Sequence, residues 1–341
     1  LILAFGAGTI LAGVGVADAL MQPARTYLQI VGGFCILNAL IPICSSYLRA
    51  FGFSKEPLYA SIIGNVINFC LNAFFLFVLH KGVAGVATAT VVSRIINLVI
   101  VVLLGAVLVK AKKHPERESN REVMGQIIRI GFPSACETAI YNVSMTLVIR
   151  FLNQMDAQGL NVTARSYTMQ ITNFSYCVGA ALAQANAIMT GWHIGAKEYD
   201  ACDRGTKKAA VIGVIVAVIL ETVFTLCSGW IMQLFSKDPQ MVSLVGKLLA
   251  IDIVLEIGRV TNLVYGQALK TSGDAVFPVV MGACFMILCS VGGTYLFGIR
   301  LGLLAVGAYI GMAGDECVRA IGMYLRWKSG KWKQKGLVKS R

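Results

Sequence analysis

The 341-residue chain is 57% hydrophobic and only 14% charged, well outside the range of soluble domains, so it reads as a multi-span membrane protein. Its formal net charge of +13 would suit a nucleic-acid partner, but the basic residues gather between apolar runs and at the carboxy-terminal end, which excludes that reading. The apolar runs are continuous rather than alternating, which excludes an outer-membrane barrel.

Ten runs are long enough to cross about 30 Å of hydrocarbon at about 1.5 Å per residue. They lie near 1–17, 28–48, 58–79, 83–109, 127–152, 163–191, 209–234, 241–269, 275–297 and 301–325. The prediction is an all-α polytopic membrane protein: a partial amino-terminal lobe over 1–109, a cytoplasmic linker over 110–126, a six-span carboxy-terminal lobe over 127–325 and a basic tail over 326–341.

Taken in order, the run 28–48 carries Asn38 and Pro42, the latter a kink that neighbouring helices can tolerate. In the third run Asn65, Asn68 and Asn72 form a stripe with two open readings, hydrogen bonds to a neighbouring helix or the lining of a cavity in the first lobe. Lys110–Gln126 mixes Lys112, Lys113, Arg117 and Arg121 with Glu116, Glu118 and Glu122 around Pro115, as suits an exposed connection. Pro133 is expected in the first turn of the fifth span. That would set Glu137 one turn inside, either snorkelling to the interface or facing a cavity, with Asn142 beyond it. The sixth run holds Asn173, Gln184 and Asn186. Glu221 in the seventh is either a cavity group or a carboxyl kept protonated by burial.

The strongest signal lies in the eighth run, where Asp252, Glu256, Arg259 and Asn262 interrupt an oily helix. Spacings of four, three and three residues put all four on one side. Charged groups are costly in hydrocarbon, so they face a cavity or a partner. In the tenth run Asp315, Glu316 and Arg319 are spaced to pair along the helix and read as a structural salt-bridge cluster, before Arg326-Trp327-Lys328 and Trp332 mark an interface.

An internal repeat links the two lobes. Leu48-Arg49-Ala50-Phe51-Gly52 precedes Pro57 as Leu269-Lys270-Thr271-Ser272-Gly273 precedes Pro278, at an offset of 221, and the glycine pairs Gly52/Gly82 and Gly273/Gly302 are 30 and 29 residues apart. The repeat predicts about two further spans ahead of Leu1, hence two six-span bundles in a complete parent. Nineteen lysines and arginines fall on one side of the predicted membrane, against Arg25, Lys81, Lys237 and Arg300 on the other. The richer side, with the carboxy terminus, is expected in the cytoplasm. Nine of the ten cysteines fall within spans and Cys202 in a predicted loop, with no CxxC spacing, so they read as packing residues.

These motifs resemble the multidrug and toxic compound extrusion (MATE) family: Gly131-Phe132-Pro133-x-x-x-Glu137, Gly191-x-x-x-Gly195-Ala196, Glu256-x-x-Arg259-x-x-Asn262, Leu269-x-x-x-Gly273-Asp274, and Asp315-Glu316-x-x-Arg319 before Arg326-Trp327. The resemblance implies a monomeric exporter of small organic, often cationic, compounds in the cell membrane, working by alternating access. It implies proton or sodium as coupling ion and no other cofactor, metal or nucleic-acid partner. Glu137, Asp252, Glu256, Arg259 and Asn262 become the expected substrate or ion site, with Asn68, Asn72, Asn142 and Asn173 as cavity candidates. Two features depart from the family. The first-helix aspartate of its amino-terminal lobe has no counterpart here, and the tenth-helix aspartate of its sodium-coupled branch falls on Arg259, with Glu256 one turn earlier as the available substitute. A lipid-linked precursor flippase of similar architecture and a non-transporting assembly partner are the alternatives. The intramembrane charges read as mostly acidic, which favours cationic compounds. No enzyme motif such as HExxH, a P-loop or GxSxG occurs.

Overall fold

The computed structural model describes residues 6–8, 11, 18–109, 120–155 and 159–334. Most of the predicted span near 1–17, most of the linker with Lys112, and the end of the basic tail lie outside the described residues. Every regular element among those described is helical, as hydrocarbon demands, because a helix satisfies its backbone polar groups internally.

The helices are α1 (Asp18–Gly33), α2 (Leu37–Ala50), α3 (Lys55–Ala73, continued by a π-helical turn Phe74–Val78), α4 (Gly82–Leu108), α5 (Asn120–Met155), α6 (Leu160–Gly195), α7 (Tyr199–Leu226), the short α8 (Ser228–Met232), α9 (Pro239–Thr271), α10 (Val276–Phe285, continued by π-helical stretches Met286–Val291 and Thr294–Arg300) and α11 (Leu304–Lys328). Met21–Ala50, Lys55–Val78, Gly82–Leu108, Tyr199–Leu226 and Val276–Arg300 are long and apolar enough to cross a membrane. α5, α6, α9 and α11, with 36, 36, 33 and 25 residues, reach as far but carry polar and charged side chains within their length.

Three sequence expectations need correction, for one physical reason: loss of hydrophobicity marks where a helix leaves the membrane, not where it ends. The last seven residues of the predicted linker, 120–126, are the first two turns of α5. Pro133 is therefore an interior proline and not a first-turn one. Cys202, expected in a loop, lies in the first turns of α7 and is buried.

The chain divides into two compact units, Leu1–Glu116 and Arg117–Arg341. In the first, α4 packs against α1, α2 and α3 through small buried residues such as Ala87, Ala89 and Ser93. In the second, α9 is the central helix and packs against α6, α7 and α11. Large apolar side chains such as Phe69, Phe77, Leu226 and Trp230 are exposed at 76% or more, as suits a surface facing lipid.

The repeat is visible in the backbone. Gly52 and Gly273 hold φ values of +89° and +90° at equivalent turns, and Gly82 and Gly302 hold +53° and +68° at the next pair. Left-handed geometry is cheap for glycine alone, so matching turns require the glycines that the repeat places there.

Two apolar clusters stack along the second unit. One includes Leu248, Leu249 and Leu255 of α9 with Ala305, Tyr309 and Met312 of α11. The other includes Val260, Val264 and Leu269 with Met323 and Trp327. Between them, on both helices, lies a charged layer: Glu256 to Arg259 on α9 and Asp315 to Arg319 on α11. Gly258 lets the two backbones meet there, since a Cβ on it would stand 2.7 Å from the Cys317 amide nitrogen and 2.8 Å from the Glu316 carbonyl carbon. Overpacking against a backbone that cannot yield typically costs about 1–3 kcal/mol. Gly258→Val is therefore expected to lower the unfolding temperature in detergent, whereas Gly314→Val, with nothing within 4 Å of its Cβ, should leave it nearly unchanged.

Candidate functional site

α5, α6, α9, α10 and α11 enclose a cavity of about 550 Å³ within the second unit. Its charged lining is balanced: Glu137, Asp252, Asp315 and Glu316 against Arg165, Arg259, Lys270 and Arg319. The expectation of a mostly acidic interior is corrected by this count, because Arg165 and Lys270 face the cavity. Lys270 stands in the last turn of α9 and not in a loop.

These charges are mostly paired. Arg259 Nη1 donates to Glu256 Oε2 at 2.8 Å, and Arg259 Nε lies 3.8 Å from Glu316 Oε1. Asn262 Nδ2 donates to Glu316 Oε2 at 3.0 Å. Arg319 holds both neighbours, with Nη2 2.9 Å from Asp315 Oδ2 and 2.9 Å from Glu316 Oε1. Ser290 of α10 donates to Asp315 Oδ2 at 3.0 Å. The close approach at Gly258 is what brings Glu316 within reach of α9, so one glycine joins the two helices' ion pairs into a single network. Lys270 Nζ reaches across to Glu137 Oε2 at 2.6 Å, which draws Glu137 into a pair and away from a snorkelling role.

Of the predicted site residues, Glu137, Asp252, Arg259, Asn262, Asn142 and Asn173 converge on this cavity. Glu256 lies directly behind the wall, fully buried, and meets the cavity through Arg259. Asn68 and Asn72 belong to the first unit, where Asn68 Nδ2 donates to Ser93 Oγ of α4 at 3.2 Å and Asn72 Nδ2 to Asn68 Oδ1 at 3.1 Å. The first of these bonds joins α3 to α4 and the second runs along α3, and neither residue lines this cavity.

A model of the MatE family matches residues 1–74 and 133–296. The chain belongs to this family. An uncharacterised transporter of Bacillus subtilis, YisQ, is 34% identical over 340 residues, covering 98% of this chain and 74% of that protein. The probable multidrug resistance protein NorM of Thermotoga maritima is 22% identical, covering 92% and 68%. A crystal structure of a MATE protein in the straight conformation shares the fold at a TM-score of 0.86 and 19% identity, covering 97% of this chain and 75% of that one. So does a transporter of the wider MOP superfamily from Pyrococcus furiosus, described as having a binding pocket of reversed polarity, at 0.84 and 18%, covering 97% and 75%.

MATE proteins are transporters and not enzymes. The rest of the lining fits that role. Tyr141, Tyr176 and Tyr309 offer aromatic faces, and Arg259 already sits over the Tyr176 ring at 5.9 Å. Met145, Met169, Met286, Met312 and Met323 supply soft, unbranched surface that adapts to varied shapes. Sequence reasoning missed Arg165, whose signal was a lone arginine inside an apolar run. It treated Asp315, Glu316 and Arg319 as structural alone, where the structure makes them both a salt-bridge cluster and cavity wall.

Removing one partner from a buried ion pair costs about 3–5 kcal/mol, because the other charge is left uncompensated. Arg319→Leu is expected to destabilise the protein on that scale in thermal unfolding. Adding Asp315→Asn and Glu316→Gln to Arg319→Leu should recover much of the loss, and a purely additive triple variant would contradict the pairing.

Proposed function

We propose that this MATE protein exports small organic cations from the cell in exchange for protons or sodium, by alternating access, as a monomer in the cell membrane with its carboxy terminus in the cytoplasm. The observation that carries the reading is the charged layer at the wall of the 550 Å³ cavity, in which Asp252 keeps one oxygen unpartnered while its neighbours are held in exchangeable pairs. A cation arriving there competes with Arg259 for Glu256, and with Lys270 for Glu137. The relatives named as probable multidrug resistance proteins support an exporter. A binding event can drive a switch only through its different affinity for the two conformations, and breaking an internal ion pair supplies such a difference.

Glu137→Gln and Glu256→Gln test this. Loss of a charged partner is worth about 1.5–3 kcal/mol, about ten- to a hundredfold. Efflux of tetraphenylphosphonium driven by an ion gradient should fall by that order in each variant at normal expression, and wild-type efflux from both would sink the assignment.

A second reading has an observation of its own. Arg165 is buried on the cavity wall, and among the described residues it donates only to Met145 Sδ at 3.7 Å and leaves Nε unpartnered, which would suit an anionic amphiphile such as a lipid-linked precursor. Preference for an anionic over a cationic probe in the same efflux assay would favour it.

A further inference from the structure

Glu221 stands near the carboxy-terminal end of α7 and is fully buried, at 0% exposure. Among the described residues neither carboxyl oxygen has a partner at full hydrogen-bond geometry, and the Ser175 hydroxyl is the donor that stands by it. It is not part of the cavity wall. The helices packed against α7 present few groups to it: Ser175 from α6, and Asp252, Glu256 and Arg259 from α9. α8, Ser228–Met232, brings no titratable side chain. Ser175 Oγ, Asp252 Oδ2 and Glu256 Oε1 are likewise buried without partners, so oxygens with unused acceptor capacity gather where three helices meet. Arg259 is already engaged, 2.8 Å from Glu256 and 3.8 Å from Glu316.

An ionised carboxylate with no counter-ion of its own and only the Ser175 hydroxyl as a neighbouring donor is a costly form at this depth, and the neutral acid is the form such a site holds. Unlike the carboxylates of Asp252 and Glu256, the neutral acid carries an O–H of its own. Among the described residues no three acidic, thiol or imidazole groups are placed to hold a metal ion. A proton is the ligand that neutralises Glu221 without bringing a further charge into the site.

We propose that Glu221 is a proton-binding site set one helix behind the cavity, and that its proton leaves when a cation settles among Asp252, Glu256 and Arg259. This rests on the cation-exchange reading above. The entering cation takes the place of Arg259 beside Glu256, and the released guanidinium turns to face Glu221. The O–H bond of Glu221 then breaks, its electron pair stays on the carboxylate and the proton passes to water. One positive charge enters and one leaves, so the net charge of the layer is unchanged for a monovalent cation.

The test counts protons. Tetraphenylphosphonium, which has no titratable group, is bound to the protein in two buffers of different ionisation enthalpy, and calorimetry gives the protons released per cation. The wild type is expected to release one. Glu221→Gln, which copies the neutral acid, should bind the probe and release none, and an unchanged count overturns the proposal. Infrared spectra of protein carrying 13C-labelled glutamate provide a second measurement that needs no variant. Glu137, Glu256 and Glu316 are held by cations, and Glu56, whose Oε2 is also buried without a partner, lies outside the charged layer, so a protonated glutamate carbonyl present at neutral pH and lost on adding the probe is assigned to Glu221. A wild-type spectrum without that band overturns the proposal even if Glu221→Gln fails to fold. A band that is present in a protein that does not bind the probe would leave the proton site standing and sink the cation-export reading.

Discussion

The second unit depends on one constraint: a layer of charge set between two apolar clusters has to neutralise itself. Leu248, Leu249 and Leu255 lie on one side of it and Val260, Val264 and Leu269 on the other, so Glu256 is cut off from solvent and Arg259 is open only toward the cavity. Isolated, each charge would cost several kcal/mol. The structure answers with shared partners: Arg259 between Glu256 and Glu316, and Arg319 between Glu316 and Asp315. Glu316 is the hinge of this network because both guanidiniums and the Asn262 amide converge on it. The contact exists only because Gly258 lets α11 come close enough.

A self-neutralised layer is also one that a ligand can enter. An ion pair between two clean apolar clusters is held by its partner and not by solvent, so a second cation of suitable shape competes on nearly equal terms. Tyrosine faces and methionine chains around the cavity accept varied apolar bodies without dictating one. In the proposed function, shape tolerance would come from the lining and charge selection from the layer. With four acids and four bases balanced in the wall, selectivity there would lie in which pair yields and not in an overall field.

Much of this was legible from spacing alone. Asp252, Glu256, Arg259 and Asn262 fall on one helical side by arithmetic, and the pairing of Arg319 with Asp315 and Glu316 follows from intervals of four and three residues. The repeat paired Gly52 with Gly273, and both hold left-handed turns. What stayed hidden depended on contacts between distant segments. Lys270 reaches Glu137 across 133 positions and Asn262 reaches Glu316 across 54, and no local pattern reports either. Asn68 and Asn72 had the same stripe as a cavity wall would, yet Ser93 on the adjacent helix claims Asn68. Helix ends were misplaced where hydropathy changed while the backbone continued, as at Asn120 and Tyr199.

The account stands or falls on Arg259 as an internal competitor for the arriving cation. A brace between helices and a competing cation differ in what happens when the charge is removed. The most direct measurement is the affinity for tetraphenylphosphonium, across pH, of wild type, Arg259→Lys and Arg259→Ala. The account predicts that Arg259→Lys keeps the pH dependence, while Arg259→Ala binds about tenfold tighter, equivalent to about 1.4 kcal/mol, and loses most of that dependence. Unchanged affinity and unchanged pH dependence in Arg259→Ala would contradict it.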